Sequence, residues 1–168
     1  SFCHLARVKR TDRVLIDCGS GALGGTSFSL LKNLGLSDMT GLTRSPEKLS
    51  IINDHGVNGL LTSEYNKSHE LYDVILNTRG GKSIPSDYQR LTPTGRLIML
   101  GASSMVSSGK KNLLHVISEF LGMKKFSPID LMNDNKAVMG LNALRLFDHQ
   151  DILSEALDYF DENPFAGA

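Results

Sequence analysis

The sequence predicts an α/β fold, an open doubly wound parallel sheet of about six strands with helices on both faces. Three observations carry that expectation. Short apolar runs alternate with helix-period patterns along most of the 168 residues. Several runs are uniformly apolar, as strands buried on both faces of a parallel sheet are. The first run also leads into a glycine-rich turn that opens a helix.

Taken in order, strands are expected at Arg13–Cys18, Met39–Thr43, Gly59–Leu61, Asp73–Asn77, Arg96–Gly101 and Ala137–Leu141. The first helix is expected at Ala22–Leu34, where Phe28, Leu30, Leu31 and Leu34 recur at helical spacing and Gly35 stands at the C-cap. The second, Pro46–Asp54, has Ser45 as N-cap and proline at its first position. Further helical patterns lie at Ser83–Arg90, Asn112–Leu121 and Ile152–Asp161, and Pro128 with Ile129–Asn133 suggests one more short helix. Right-handed crossovers would join these units into one sheet. Phe2–Val8 reads as the last turns of a helix, and Pro164-Phe165-Ala166-Gly167-Ala168 follows no final strand. Both ends therefore look cut, and residues 1–168 are expected to be one domain of a larger protein.

Lys and Arg total 18, as do Asp and Glu, and only 7% of residues are aromatic. That balance gives neither the basic footprint nor the stacking platforms of a nucleic-acid binder. No apolar run approaches a membrane span, and the first residues lack the pattern of a signal peptide. Cys3 and Cys18 are the only cysteines, which argues against a disulfide framework and fits reduced thiols in a cytoplasmic setting. Cys18 is expected to be buried at the end of the first strand. His4, His55, His69, His115 and His149 show no paired ligand spacing, so no metal site is expected.

Val14-Leu15-Ile16-Asp17-Cys18 runs into Gly19-Ser20-Gly21-Ala22-Leu23-Gly24, a G-x-G-x-x-G turn. Glycines at this spacing let backbone N–H groups approach a pyrophosphate, which the positive end of the following helix then holds. A ligand-free structural turn is the alternative, but the strand before the motif and the helical pattern after it favour a dinucleotide. About twenty residues on, an Asp or Glu would accept from the ribose 2′-hydroxyl of NAD. This chain has Thr43-Arg44-Ser45-Pro46-Glu47-Lys48 there, a hydroxyl and cations that fit the 2′-phosphate of NADP(H). Lys48 in a first helical turn opposes the macrodipole, a placement that a bound phosphate makes useful. Alternatively, Arg44 and Lys48 are solvated surface charges, with Glu47 complementing the dipole. Asn77 ends the fourth strand, where it is expected to touch a ribose or the nicotinamide, with Thr78-Arg79-Gly80-Gly81 looping over it. Gly101-Ala102-Ser103 would offer backbone groups to the nicotinamide edge.

Read in order, Leu5-Ala6-Arg7-Val8-Lys9, Gly19–Gly24, Thr43–Lys48, Tyr72–Asn77 and Leu91–Leu97 resemble the cofactor domain of a zinc-free medium-chain dehydrogenase/reductase, in the quinone oxidoreductase branch. Gly109–Leu114 and Asn135–Asn142 are similar to the vesicle amine transport protein-like subfamily. The resemblance implies a Rossmann-type domain of an NADPH-dependent reductase of quinones, enones or other activated alkenes. It implies that Gly21, Ala22, Leu23 and Gly24 line the pyrophosphate and that Thr43, Arg44 and Lys48 surround the 2′-phosphate. It further implies that Asn142 approaches the nicotinamide and that Ala137–Leu141 is an edge strand able to pair with its twin in a homodimer.

Three departures from the family pattern bear on function. The family's N-terminal GroES-like substrate domain is expected to lie outside residues 1–168. Ser63 stands where a phosphate-contacting tyrosine is common, and Tyr65, two places on, is the candidate substitute. Asp17 occupies a position more often histidine or small, and its charge would oppose a pyrophosphate if it faced the turn. The residues identify no general acid or nucleophile; Ser103, Ser104 and Asn142 would at most position the nicotinamide. Beside the oxidoreductase stand two other readings: a non-catalytic nucleotide-binding or dimerisation module, and the enoyl-reductase domain of a larger synthase.

Overall fold

In a computed structural model, residues 6–100, 126–142 and Ser154 are described. Six parallel strands form one sheet in the order β3-β2-β1-β4-β5-β6. They are β1 (Val14–Ile16), β2 (Met39–Thr43), β3 (Asn58–Leu61), β4 (Tyr72–Asn77), β5 (Leu91–Leu100) and β6 (Ala137–Leu141). The order reverses between β1 and β4, and in such sheets ligands bind outside the carboxyl ends of the strands at that reversal.

Alternate residues of the central strands feed two cores. Val14, Ile16, Val74, Leu76 and Ile98 pack against Phe28, Leu30 and Leu31 of helix α1 (Ala22–Asn33) and Ile52 of α2 (Leu49–Asp54). Leu15, Leu42, Ile75 and Leu97 face Tyr65 of α3 (Thr62–Tyr65), together with Ile84 and Tyr88 of α4 (Ser83–Gln89). A further helix, α5 (Pro128–Asp134), has Ser127 as N-cap, accepting from the Ile129 amide at 3.2 Å. It ends on Asn135 in the left-handed conformation, φ 51°. Helix α1 closes as its sequence suggests, with Gly35 at φ 85° just beyond it.

Five expectations need correction. β1 is shorter than Arg13–Cys18, because the chain turns at Cys18, whose carbonyl accepts the Gly21 amide at 3.0 Å. Cys18 is half-buried rather than buried. The segment read as one helix from Pro46 begins as a 3-10 turn, Pro46–Lys48, and becomes α-helical at Leu49. Ser45 makes no side-chain cap; its carbonyl takes the Lys48 amide at 3.0 Å. β5 starts at Leu91 rather than Arg96, since Leu91 pairs with Tyr72 and the register shifts before Val74 meets Arg96. That irregularity absorbs Pro93, Thr94 and Gly95, and Thr94 has φ 69°. The helices expected at 112–121 and 152–161, and Gly101, Ala102 and Ser103, lie outside the described residues, Ser154 apart.

Candidate cofactor site

At the carboxyl end of β1 each glycine of the turn meets different surroundings. A Cβ on Gly24 would lie 2.4 Å from the Cys18 carbonyl oxygen and 2.5 Å from that of Gly19. One on Gly19 would lie 2.8 Å from Gly41 Cα on β2. These two glycines let backbone pack on backbone. Gly21 differs: its Cβ would meet only the Cys18 carbonyl, at 3.5 Å, an ordinary contact. Its φ of −99° suits any residue. Packing among the described residues therefore accounts for Gly19 and Gly24 and leaves Gly21 unexplained. Gly21 is the N-cap of α1, a twelve-residue helix with no acidic residue in its first turn and no side-chain cap. The helix thus presents its uncapped positive end beside an open backbone position, as an anion site requires. Ala22 and Leu23 begin that helix, and Leu23 is exposed.

The end of β2 is knitted to the turn. Thr43 is buried, and its hydroxyl lies 3.2 Å from that of Ser20 and accepts the Ser45 amide at 3.3 Å. Its carbonyl accepts from the Thr62 hydroxyl at 3.2 Å. Arg44 and Lys48 are exposed, and no ion pair engages either among the described residues. Two uncommitted cations thus flank the strand end, while Thr43 serves the scaffold.

Asn77 is turned away from the role expected of it. It is fully buried, and its amide nitrogen donates to Ser83 Oγ at 2.7 Å and to Asp87 Oδ2 at 2.6 Å. Its Oδ1 accepts the Gly80 amide at 2.8 Å. Both amide protons are used and the side chain is buried, so in this structure Asn77 braces the loop after β4 and the start of α4. Tyr65 likewise cannot take the place of the family tyrosine. Its ring is buried beneath the Arg90 guanidinium, and its hydroxyl donates to Asp87 Oδ1 at 2.9 Å. Burial, and then the Asp87 charge, push that phenol far up, so it stays a hydrogen-bond donor. Ser63 is exposed on α3. Asn142 is exposed just past β6, at the carboxyl end of a strand separated from β1 by β4 and β5.

Asp17 does not oppose the turn. Its buried carboxylate accepts from the Thr78 amide at 2.8 Å, the Thr78 hydroxyl at 2.6 Å and the Arg79 amide at 3.1 Å, and it pairs with Arg79 Nε at 3.1 Å. Arg79 Nη2 reaches both oxygens of Asp87 at 3.2 Å. Burial pushes the Asp87 carboxyl up, while Arg79, Asn77 and Tyr65 draw it back. Desolvation and the Asp17 charge raise the Cys18 thiol to about 11, so it is neutral at physiological pH.

This network escaped sequence reading, although a signal existed. Ile84, Asp87 and Tyr88 share the inward face of α4, and an acid on an apolar helical face needs a buried partner. A cleft of about 230 Å³ lined by Asn66, Arg79, Lys82, Ser83, Ser86 and Asp87 lies beside the network and touches no residue of the glycine turn. Among the described residues no cluster of His, Cys, Asp or Glu suits a metal ion, and no helix is long and apolar enough to cross a membrane.

No family model matches the chain. It is 26% identical over 164 residues to a synaptic vesicle membrane protein VAT-1 homolog of Danio rerio, covering 93% of this chain and 33% of that protein. Among solved structures, the quinone oxidoreductase of Thermus thermophilus, described with its NADPH complex, superposes with a TM-score of 0.70 at 24% identity. That match covers 94% of this chain and 47% of the other. A putative enoyl reductase domain of polyketide synthase gives 0.72 at 19% identity, covering 99% and 90%. The chain therefore spans about a third of the VAT-1 relative and about half of the quinone oxidoreductase. In sequence the chain is thus similar to VAT-1 proteins, and in fold to the nucleotide-binding half of a quinone oxidoreductase and to an enoyl reductase domain.

Proposed function

We propose that this chain is the NADP(H)-binding domain of an oxidoreductase that reduces quinones, enones or similar activated alkenes. One observation carries the reading: no packing need among the described residues accounts for Gly21, at the uncapped start of α1 and at the carboxyl edge where β1 and β4 part. A glycine in that position serves the close approach of a pyrophosphate. Gly19, Gly21, Ala22, Leu23 and Gly24 form the pyrophosphate cradle, and Arg44 and Lys48 take the 2′-phosphate. Gly101, Ala102, Ser103 and Asn142 are assigned to the nicotinamide side. When bound, the dinucleotide supplies the hydride, while the chain binds and orients it. Turnover is assigned to a protein that also carries a substrate-binding domain, in a cytoplasmic setting. Among the described residues β6 stands at the sheet edge, which supports pairing of two copies through Ala137–Leu141.

A second reading, the enoyl-reductase domain of a larger synthase, is favoured by the near-complete mutual coverage with the polyketide synthase domain. Reduction of an enoyl thioester in preference to a quinone by the full protein would select it.

The test is parallel titration with NADPH and NADH of the chain and of an Arg44→Ala/Lys48→Ala variant. NADPH is expected to bind at least about tenfold more tightly, because charged hydrogen bonds to a phosphate contribute roughly 1.5–3 kcal/mol each. The variant is expected to bind both cofactors at the NADH level. A preference that survives the double substitution would remove the 2′-phosphate assignment, and failure of the chain to bind either cofactor would overturn the reading.

A further inference from the structure

We propose that Arg79, held between the buried carboxylates of Asp17 and Asp87, is a positioning residue that fixes residues 78–81 as a wall of the nucleotide crevice. The inference rests on the nucleotide-binding reading and concerns how the site is kept in shape.

Its basis is where the network sits. β1 and β4 are the strands between which the order reverses, and Asp17 joins them beyond their carboxyl ends. The Asp17 amide donates to the Leu76 carbonyl at 3.2 Å, while its side chain receives four donors from Thr78 and Arg79. Asp17 lies two residues before the glycine turn, so a single carboxylate couples the turn to the loop after β4. Both carboxylates are fully buried, and the arginine is about a quarter exposed.

The loop has little conformational freedom of its own. Gly80 and Gly81 sit at φ 70° and 51°, a region that costs other residues strain. The Gly80 amide is held by Asn77, and its carbonyl accepts the Ser83 hydroxyl at 2.8 Å. Among the described residues, only Arg79 links this local turn to both the end of β1 and α4 through its own side chain. A planar guanidinium can present Nε to one carboxylate and Nη2 to another, a geometry that a lysine ammonium lacks. If Arg79 is lost, two buried anions face each other without a cation, and the loop backbone is free to move away from β1.

Arg90 separates positioning from stability. It is a partly buried arginine that donates to the carbonyls of Tyr65, Asn66 and Ser68. None of these hydrogen bonds reaches the loop or the glycine turn, and Arg90 meets the network only indirectly, by stacking on the Tyr65 ring whose hydroxyl donates to Asp87. The experiment compares Arg79→Gln, Arg79→Lys and Arg90→Gln, with Asp17→Asn as a second break of the network. NADPH affinity is measured in the cold, where circular dichroism shows each variant folded. Amide hydrogen exchange at residues 78–81 is followed without ligand.

Arg79→Gln is expected to weaken NADPH by about tenfold or more and to speed exchange in the loop, and Asp17→Asn to act in the same direction. Arg79→Lys should recover part of the affinity. Arg90→Gln should lower the unfolding midpoint yet bind NADPH within about twofold of the unaltered chain. The proposal is overturned if Arg79→Gln binds like the unaltered chain, or if Arg90→Gln loses as much affinity for the same loss of stability. If the unaltered chain does not bind NADPH, the nucleotide reading itself fails and this proposal falls with it.

Discussion

Gly21 and Gly24 stand three residues apart in one turn, yet different forces govern them. A methyl group on Gly24 would press into two backbone carbonyls at 2.4 and 2.5 Å, and neither can move without pulling β1 or the start of α1. Gly24→Ala is therefore expected to cost about 1–3 kcal/mol of folding stability, as overpacking does. Urea unfolding measures this, and an unchanged midpoint would show that the turn is looser than described. Asp17 teaches a related lesson about single residues. Its charge next to the motif reads as a defect in the sequence, and only its partners at Thr78 and Arg79 show that it is hydrogen-bonded, ion-paired and turned aside. Those partners are about sixty residues away along the chain, and no local pattern links them.

Among the elements, Met39–Thr43 and Ala137–Leu141 were legible to the residue, because apolar runs between turn signals mark both. The early start of β5 was not, because Pro93 and Gly95 punctuate it and only pairing with β4 reveals the strand. Asp73 on β4 holds that region together. It accepts from the Thr92 hydroxyl at 2.6 Å and the Arg13 amide at 2.9 Å, tying β5 and the approach to β1 onto one strand. Burial alone would raise its pKa, but Thr92, the Arg13 amide and the nearby arginines outweigh it and hold the carboxyl below its ordinary value. A depressed carboxylate contributes stability above its unfolded pKa and loses it as pH falls through the folded one. Asp73→Asn should therefore lower the melting temperature at neutral pH, with the gap closing below the ordinary carboxylate range. Asp87, shifted the other way, adds nothing to that acid loss, because its protonation favours the folded state. Thermal melts of both proteins from neutral to acid pH test this, and a gap that stays constant throughout would contradict it.

For the molecule as a whole, the parallel sheet and the carboxyl-end position of the crevice follow from apolar runs, turn signals and one glycine motif, whereas the strand order is visible only in the structure. The fine structure of the crevice follows from side chains meeting across strands. Arg44 and Lys48 remain exposed where the sequence put them, whereas Thr43, Asn77 and Tyr65 are drawn into the scaffold by hydroxyl and carboxylate partners. The site divides into a rigid base of buried hydrogen bonds and an open rim of backbone and cations, with Gly21 on the rim. The decisive measurement is NADPH titration of Gly21→Ala beside the unaltered chain. Alanine is a poorer N-cap than glycine but restrains the unfolded chain, so the two effects offset and the unfolding midpoint should stay within about 1 kcal/mol. NADPH binding should weaken by about tenfold or more, because the methyl group occupies the space a pyrophosphate needs. Equal affinity in the two proteins would contradict the assignment of this turn as the nucleotide cradle.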